Sequence, residues 1–185
     1  FREAGELRLI LTTHPLAVEA VLGNDLLRAL YLALHLGGFG KRARRGGGNF
    51  AIVQADLPPE IVLPDMSPLD YQAQDGNDLA HYLSDICKLC GSRATALHDP
   101  DYPTFTPQTA RVLVSAQSFR DYTAALDDMW TLSGPFHHHG GAFGDVRPRR
   151  ASAIHMRVNR SAAGYHPVIT VLRSGVGNWS AMQSF

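Results

Sequence analysis

The sequence predicts a mixed α+β fold, on three observations. Apolar runs at 5–12 and 49–55 flank a helical pattern over 16–36, giving strand, helix and strand within the first 55 residues. Two further helical patterns lie in the middle of the chain. The last forty residues are arginine-rich and carry β-type runs. The expected organisation is a strand-helix-strand unit over 1–55, a mixed helical and loop region over 56–145, and a basic, strand-rich segment over 146–185 that belongs to the same domain.

Each element follows from local chemistry. In GELRLILT (5–12) apolar residues first alternate and then run on, as in a strand, and His14-Pro15 breaks the run. From Leu16 the residues Val18, Val21, Leu22, Leu26, Leu27, Leu30 and Leu34 recur at helical spacing, with Gly23-Asn24 as a point where the helix could divide. NFAIVQA (49–55) reads as a strand, so 5–55 predicts a βαβ unit with a right-handed crossover. Pro58, Pro59, Pro64 and Pro68 make 57–75 an extended connection. A helix is expected over 77–89, with Leu79, Tyr82, Leu83, Ile86 and Leu89 on one side. After a proline-rich loop at 98–107 a second is expected over 119–132, using Tyr122, Leu126, Met129 and Trp130.

Between the first helix and its following strand lies the densest combination of backbone freedom and positive charge in the chain. Gly38, Phe39 and Gly40 precede Lys41, Arg42, Arg44 and Arg45, and Gly46, Gly47 and Gly48 close the run. Glycines admit a close backbone approach, and the four cations call for an anion. A mononucleotide loop is excluded because Lys41 is followed by Arg42 and not by Ser or Thr. The dinucleotide fingerprint fails because its sixth position, counted from Gly38, is Ala43. The run also follows a helix C-terminus, the negative pole of the dipole, so the side chains must supply the attraction. That suits a chain of phosphates. The plainer alternative is a glycine cap followed by a solvated basic turn.

The string Leu36-Gly37-Gly38-Phe39-Gly40-Lys41-Arg42-Ala43-Arg44-Arg45-Gly46 resembles the glycine-rich loop of the RAMP superfamily of CRISPR-associated proteins. It is most similar to the first-numbered subunit family of the Cmr-type (type III-B) effector complexes. A second stretch, Arg149-Arg150-Ala151-Ser152-Ala153-Ile154-His155-Met156-Arg157-Val158, followed by a Gly-Tyr turn and the apolar run 167–172, resembles that family's later strand segment. The chain departs from the pattern at Ala153, where proline is usual, and at Gly47, where an aromatic or apolar residue is usual. The resemblance implies a ferredoxin-like (RRM-like) fold and a non-catalytic, guide-RNA-binding subunit of an antiviral ribonucleoprotein. The implied partners are guide RNA, target RNA and the other subunits, with no cofactor and no metal. Gly38, Phe39, Gly40, Lys41, Arg42, Arg44, Arg45, Gly46 and Gly48, with Arg149 and Arg150, are the expected RNA contacts. In that family the loop follows the second helix of a βαββαβ domain. With Phe1 in place of Met, a longer protein is therefore expected, with half a domain upstream.

Composition fits these expectations. A chain of 185 residues with 45% hydrophobic content supports a core. No apolar run reaches membrane-span length, two cysteines are too few for a disulfide framework, and a cytoplasmic protein is expected. The net charge of zero argues against an indiscriminate nucleic-acid binder, but the distribution is uneven. Residues 41–55 hold four basic and no acidic residues, 56–101 hold nine acidic and two basic, and 146–185 hold six arginines and no acid. Two basic blocks flank an acidic middle. They form one phosphate-tracking surface if the fold brings the glycine run near Arg147, Arg149 and Arg150.

Other candidates carry less. Cys87 and Cys90, with His81 and His98, offer four zinc-type ligands, but their offsets match no familiar finger, and cysteines three apart also pack together on a helix face. His137, His138 and His139 sit in a Gly/Pro-bounded loop that gains charge in acid. His14, at the end of the first predicted strand, is the one candidate general base, and it defines a rival: a RAMP endoribonuclease processing guide precursor. A purely structural partner-binding subunit is the third possibility. The carboxylates of the middle are scattered singly, unlike a paired-metal nuclease.

Overall fold

The computed structural model describes residues 8–10, 20–38, 49–57, 66–89, 105, 110–133 and 152–172. In chain order these form α1 (Ala20–His35), α2 (Gly76–Lys88), β1 (Ala110–Val114), α3 (Tyr122–Ser133), β2 (Ile154–Ser161) and β3 (Gly164–Leu172). The chain is therefore a mixture of helix and sheet, as expected. The three strands make one antiparallel sheet in the order β1-β3-β2.

Strand periodicity decides which helix covers which face. Ile154, Met156 and Val158 of β2 share a face with Tyr165 and Ile169 of β3, and α3 seals it with Ala125, Leu126 and Met129. On the opposite face Ala110, Val168 and Leu172, with Val112 and Val114, pack beneath Leu79, Leu83 and Ile86 of α2. Helix α1 adds Leu27 and Tyr31 to that second core, with Leu36 just after it, and lies against α2. Two cores thus sit back to back on one sheet.

Local signals set the edges of these elements. Asp75 caps α2 by accepting from the amides of Asn77 at 2.8 Å and Asp78 at 2.9 Å. Asp78 in turn accepts from the Gln74 amide at 2.8 Å and from the Tyr71 hydroxyl. These two donors hold its carboxyl below the usual carboxylate range. The β2–β3 hairpin turns through Ala162-Ala163 into Gly164, whose φ of 139° excludes other residues; a Cβ there would lie 2.6 Å from the Phe119 carbonyl oxygen. The amides of Ala162 and Ala163 dock on the carbonyls of Ala73 and Gln74, so the hairpin tip is tied to the start of α2.

Several expectations need correction. Residues 49–57 form no strand: the Ile52 carbonyl accepts from the Gln72 side chain and the Ala55 amide donates to Asp70, so side chains take the place of a ladder. Val53 there is 88% exposed. Residues 8–10 lie outside any strand as well, and no parallel pair exists among the described residues, so the βαβ unit is not formed there. Gly23-Asn24 does not divide α1. Conversely, β1 has no counterpart among the expected elements. Its outward Leu113 breaks the alternation that would have marked Val112 and Val114 as an inward face.

Thr170 of β3 is fully buried in the α2-side core, and its hydroxyl finds no hydrogen-bond partner among the described residues. Burying a hydroxyl unmet costs on the order of 1–3 kcal/mol, so Thr170→Val, which keeps the shape, is expected to stabilise the protein by about 1 kcal/mol. Urea unfolding measures it; a lower midpoint in the variant would contradict the assignment.

Candidate nucleic-acid interface

Helix α1 ends where the glycine run begins. The amides of Leu36 and Gly37 both donate to the Leu32 carbonyl, the second across five residues, which closes the helix C-terminus. Gly37 approaches the preceding turn so closely that a Cβ would meet the Ala33 carbonyl oxygen at 2.7 Å. The carbonyls that this end leaves over are met from the far side of the sequence. Arg157 of β2 donates through Nη1 to the carbonyls of Leu34 at 2.8 Å and Gly37 at 3.0 Å. Its Nη2 makes a longer, 3.5 Å contact to the Phe50 carbonyl, and its Nε donates to Asn159 Oδ1 at 2.6 Å.

Arg157 is only 3% exposed, and no carboxylate pairs with it among the described residues. Burial lowers its pKa to about 10, which still leaves a cation at neutral pH. The negative end of α1 compensates that charge: the Leu34 carbonyl of its last turn and the Gly37 carbonyl just beyond it are aimed at the guanidinium. Beside it, the Asn49 side-chain amide donates to the Tyr122 hydroxyl at 3.3 Å, while Asn49 Oδ1 is buried without a partner among the described residues. Burial raises the Tyr122 pKa, with Arg157 opposing the shift.

Of the expected RNA contacts, Gly38 alone falls within the described residues, directly after the turn that Arg157 holds. Phe39, Gly40, Lys41, Arg42, Arg44, Arg45, Gly46, Gly48, Arg149 and Arg150 lie outside them, as do His14, Cys90, His98 and the three histidines at 137–139. In the sequence Arg157 is merely one of six arginines in the basic C-terminal block. Its inward parity on β2 is visible, but a strand with both faces covered cannot be told from a half-exposed one by alternation.

A second polar cluster holds the chain before α2. Three successive carbonyls, those of Ser67, Pro68 and Leu69, accept from Tyr31 at 2.9 Å, Tyr82 at 3.2 Å and His35 Nε2 at 2.9 Å. The Tyr82 hydroxyl also lies 3.1 Å from His35 Nε2. Desolvation brings the His35 pKa down to about 4, helped by the Arg157 charge and opposed by the Leu69 hydrogen bond. Neutral imidazole is therefore the working form.

Ser161 and His166 have the chemistry of a hydroxyl and its base, at 2.9 Å. Because the Ser115 carbonyl can only accept, His166 Nδ1 carries the proton and Nε2 accepts from Ser161. Both residues are buried, and Ser161 Oγ accepts from the Ala163 amide, so the pair fastens the hairpin. Among the described residues no group of three or more His, Cys, Asp or Glu side chains could hold a metal. Cys87 faces the core from α2, whereas His81 on the same helix is exposed on another side. No described helix is long and apolar enough to cross a membrane. No protein-family model, curated protein or solved structure matches the chain.

Proposed function

We propose that the chain is a non-catalytic subunit that holds the sugar-phosphate backbone of a guide RNA in a type III CRISPR effector complex. The resemblance of 36–46 and 149–158 to RAMP sequences supplies the family. One observation carries the binding mode: the two ends of the Gly/Arg run, Gly37 and Phe50, meet at a single buried guanidinium. The ten residues that join these two points in the sequence, 39–48, carry four cations. A basic, glycine-rich run whose two ends are held together suits contacts to successive phosphates, whose affinity is electrostatic and largely independent of sequence.

The sheet is a poor alternative surface. An RRM stacks bases on an open face, whereas α3 covers much of one face here and α2 the other. A ferredoxin-like domain is proposed for the chain as a whole, supported by the antiparallel β1-β3-β2 order. Guide RNA and neighbouring subunits are the proposed partners, and a cytoplasmic ribonucleoprotein is the proposed setting.

Replacing Arg44 and Arg45 with Ala tests the mode. On single-stranded RNA, removing one cation from a phosphate lowers the dependence of log K on log salt by about 0.7, so the double variant is expected to give up roughly one to one and a half units of slope. Fluorescence anisotropy across a salt series measures it. An unchanged slope removes these residues from the interface, and no RNA retention at low salt favours a purely structural subunit. Sequence-defined cleavage of repeat RNA, abolished in His14→Ala, would instead establish the endoribonuclease.

A further inference from the structure

We infer that Arg157 is the positioning residue of the Gly/Arg run: it clamps the two ends of that run, at Gly37 and Phe50, without itself touching RNA. The inference rests on the RNA reading above and goes beyond it by assigning a role to a residue in a distant strand.

Three features carry it. The guanidinium spans both roots, reaching the carbonyls of Leu34 and Gly37 where the chain leaves α1 and that of Phe50 where it returns. Its remaining Nε is fixed by Asn159, two residues on along the same strand, so the fork is aimed before the loop is added. Finally, Arg157 is buried, which keeps it from a phosphate while its neighbours in sequence, Met156 and Val158, face the α3-side core. The planar fork reaches the two roots from separate nitrogens, Nη1 towards Leu34 and Gly37 and Nη2 towards Phe50; a lysine ammonium donates from one nitrogen on a flexible stem and does not span both. Fixing both ends of a loop removes conformations that binding would otherwise have to exclude, so the gain appears as affinity and not as an added contact.

That distinction is measurable. A residue that touches phosphate changes the salt slope, whereas one that only pre-organises the loop shifts affinity equally at every salt concentration. Fluorescein-labelled single-stranded RNA of mixed sequence is titrated with the full chain and with Arg157→Gln, Arg157→Lys and Asn159→Ala. Arg157→Gln and Arg157→Lys are expected to weaken binding by about tenfold with the slope unchanged, and Asn159→Ala by about threefold. In parallel, tryptic cleavage after Lys41, Arg42, Arg44 and Arg45 is followed by mass spectrometry without RNA. It is expected to be faster in all three variants, including Asn159→Ala at an unchanged urea midpoint.

A slope lowered by about 0.7 in Arg157→Gln would make Arg157 a direct contact and overturn the assignment. So would full rescue by Arg157→Lys, or wild-type affinity and cleavage in Asn159→Ala. If circular dichroism shows that the Arg157 variants do not fold, Asn159→Ala carries the test alone. Should the wild-type chain fail to bind RNA at low salt, the RNA reading falls. Cleavage rates then decide the anchoring by themselves, faster supporting it and equal overturning it.

Discussion

Acidification from pH 7.5 to pH 4 is expected to remove about 3 kcal/mol of folding stability through His35 alone. The residue is buried against Tyr82 and the Leu69 carbonyl, and its pKa falls from 6.5 to about 4 on folding. A depressed folded pKa means that the unfolded chain binds the proton first. The contribution is complete above pH 6.5, declines as pH drops through the window between 6.5 and 4, and is gone below it. Roughly two and a half units at about 1.4 kcal/mol each give the magnitude. Urea midpoints at pH 7.5 and pH 4.5, for the wild type and His35→Gln, isolate the effect. Glutamine can still donate to Leu69 but cannot titrate, so the variant should lose most of the acid sensitivity. Asp78, whose carboxyl pKa is also lowered, acts in the same direction in both proteins and cancels in the comparison. Equal acid sensitivity in the two would assign the loss to other groups.

Truncation of Leu83 or Met129 to Ala should each cost roughly 3 kcal/mol, and the two losses should add. Both side chains are fully buried, Leu83 under α2 and Met129 under α3, and each truncation forfeits transfer energy and leaves a cavity. The sheet separates them, so neither cavity can relax into the other, and additivity within about 0.5 kcal/mol is expected. Thermal or urea unfolding of the two single variants and the double gives the coupling. A coupling energy above about 1 kcal/mol would mean that the cores deform together and that the sheet is no barrier.

The pattern of success along the chain has a physical basis. Helix α2 is legible because Leu79, Tyr82, Leu83 and Ile86 form one stripe and all four are buried. The stripe of α3 is legible for the same reason through Leu126 and Met129, although Trp130 is exposed and Ala125 buried. The hairpin is foreshadowed by the Gly-Tyr turn and the apolar run after it. The apolar segment at 49–57 misleads because a strand needs a neighbour, and here Gln72 and Asp70 supply the backbone partners instead. Sequence cannot say which of two apolar runs wins a place in a three-stranded sheet.

For the candidate site the division is similar. The glycine run, its four cations and its position after a helix can be read directly from the residues, because charge and backbone freedom are properties of the residues themselves. What only the tertiary structure decided is what holds the two ends of that run. Arg157 lies 120 residues from Gly37, and its meeting with the carbonyls of α1 depends on the order of strands and on both faces of the sheet being covered. A buried cation is tolerated there because the fold brings a helix's negative end to it, and the sequence shows each partner but not their encounter.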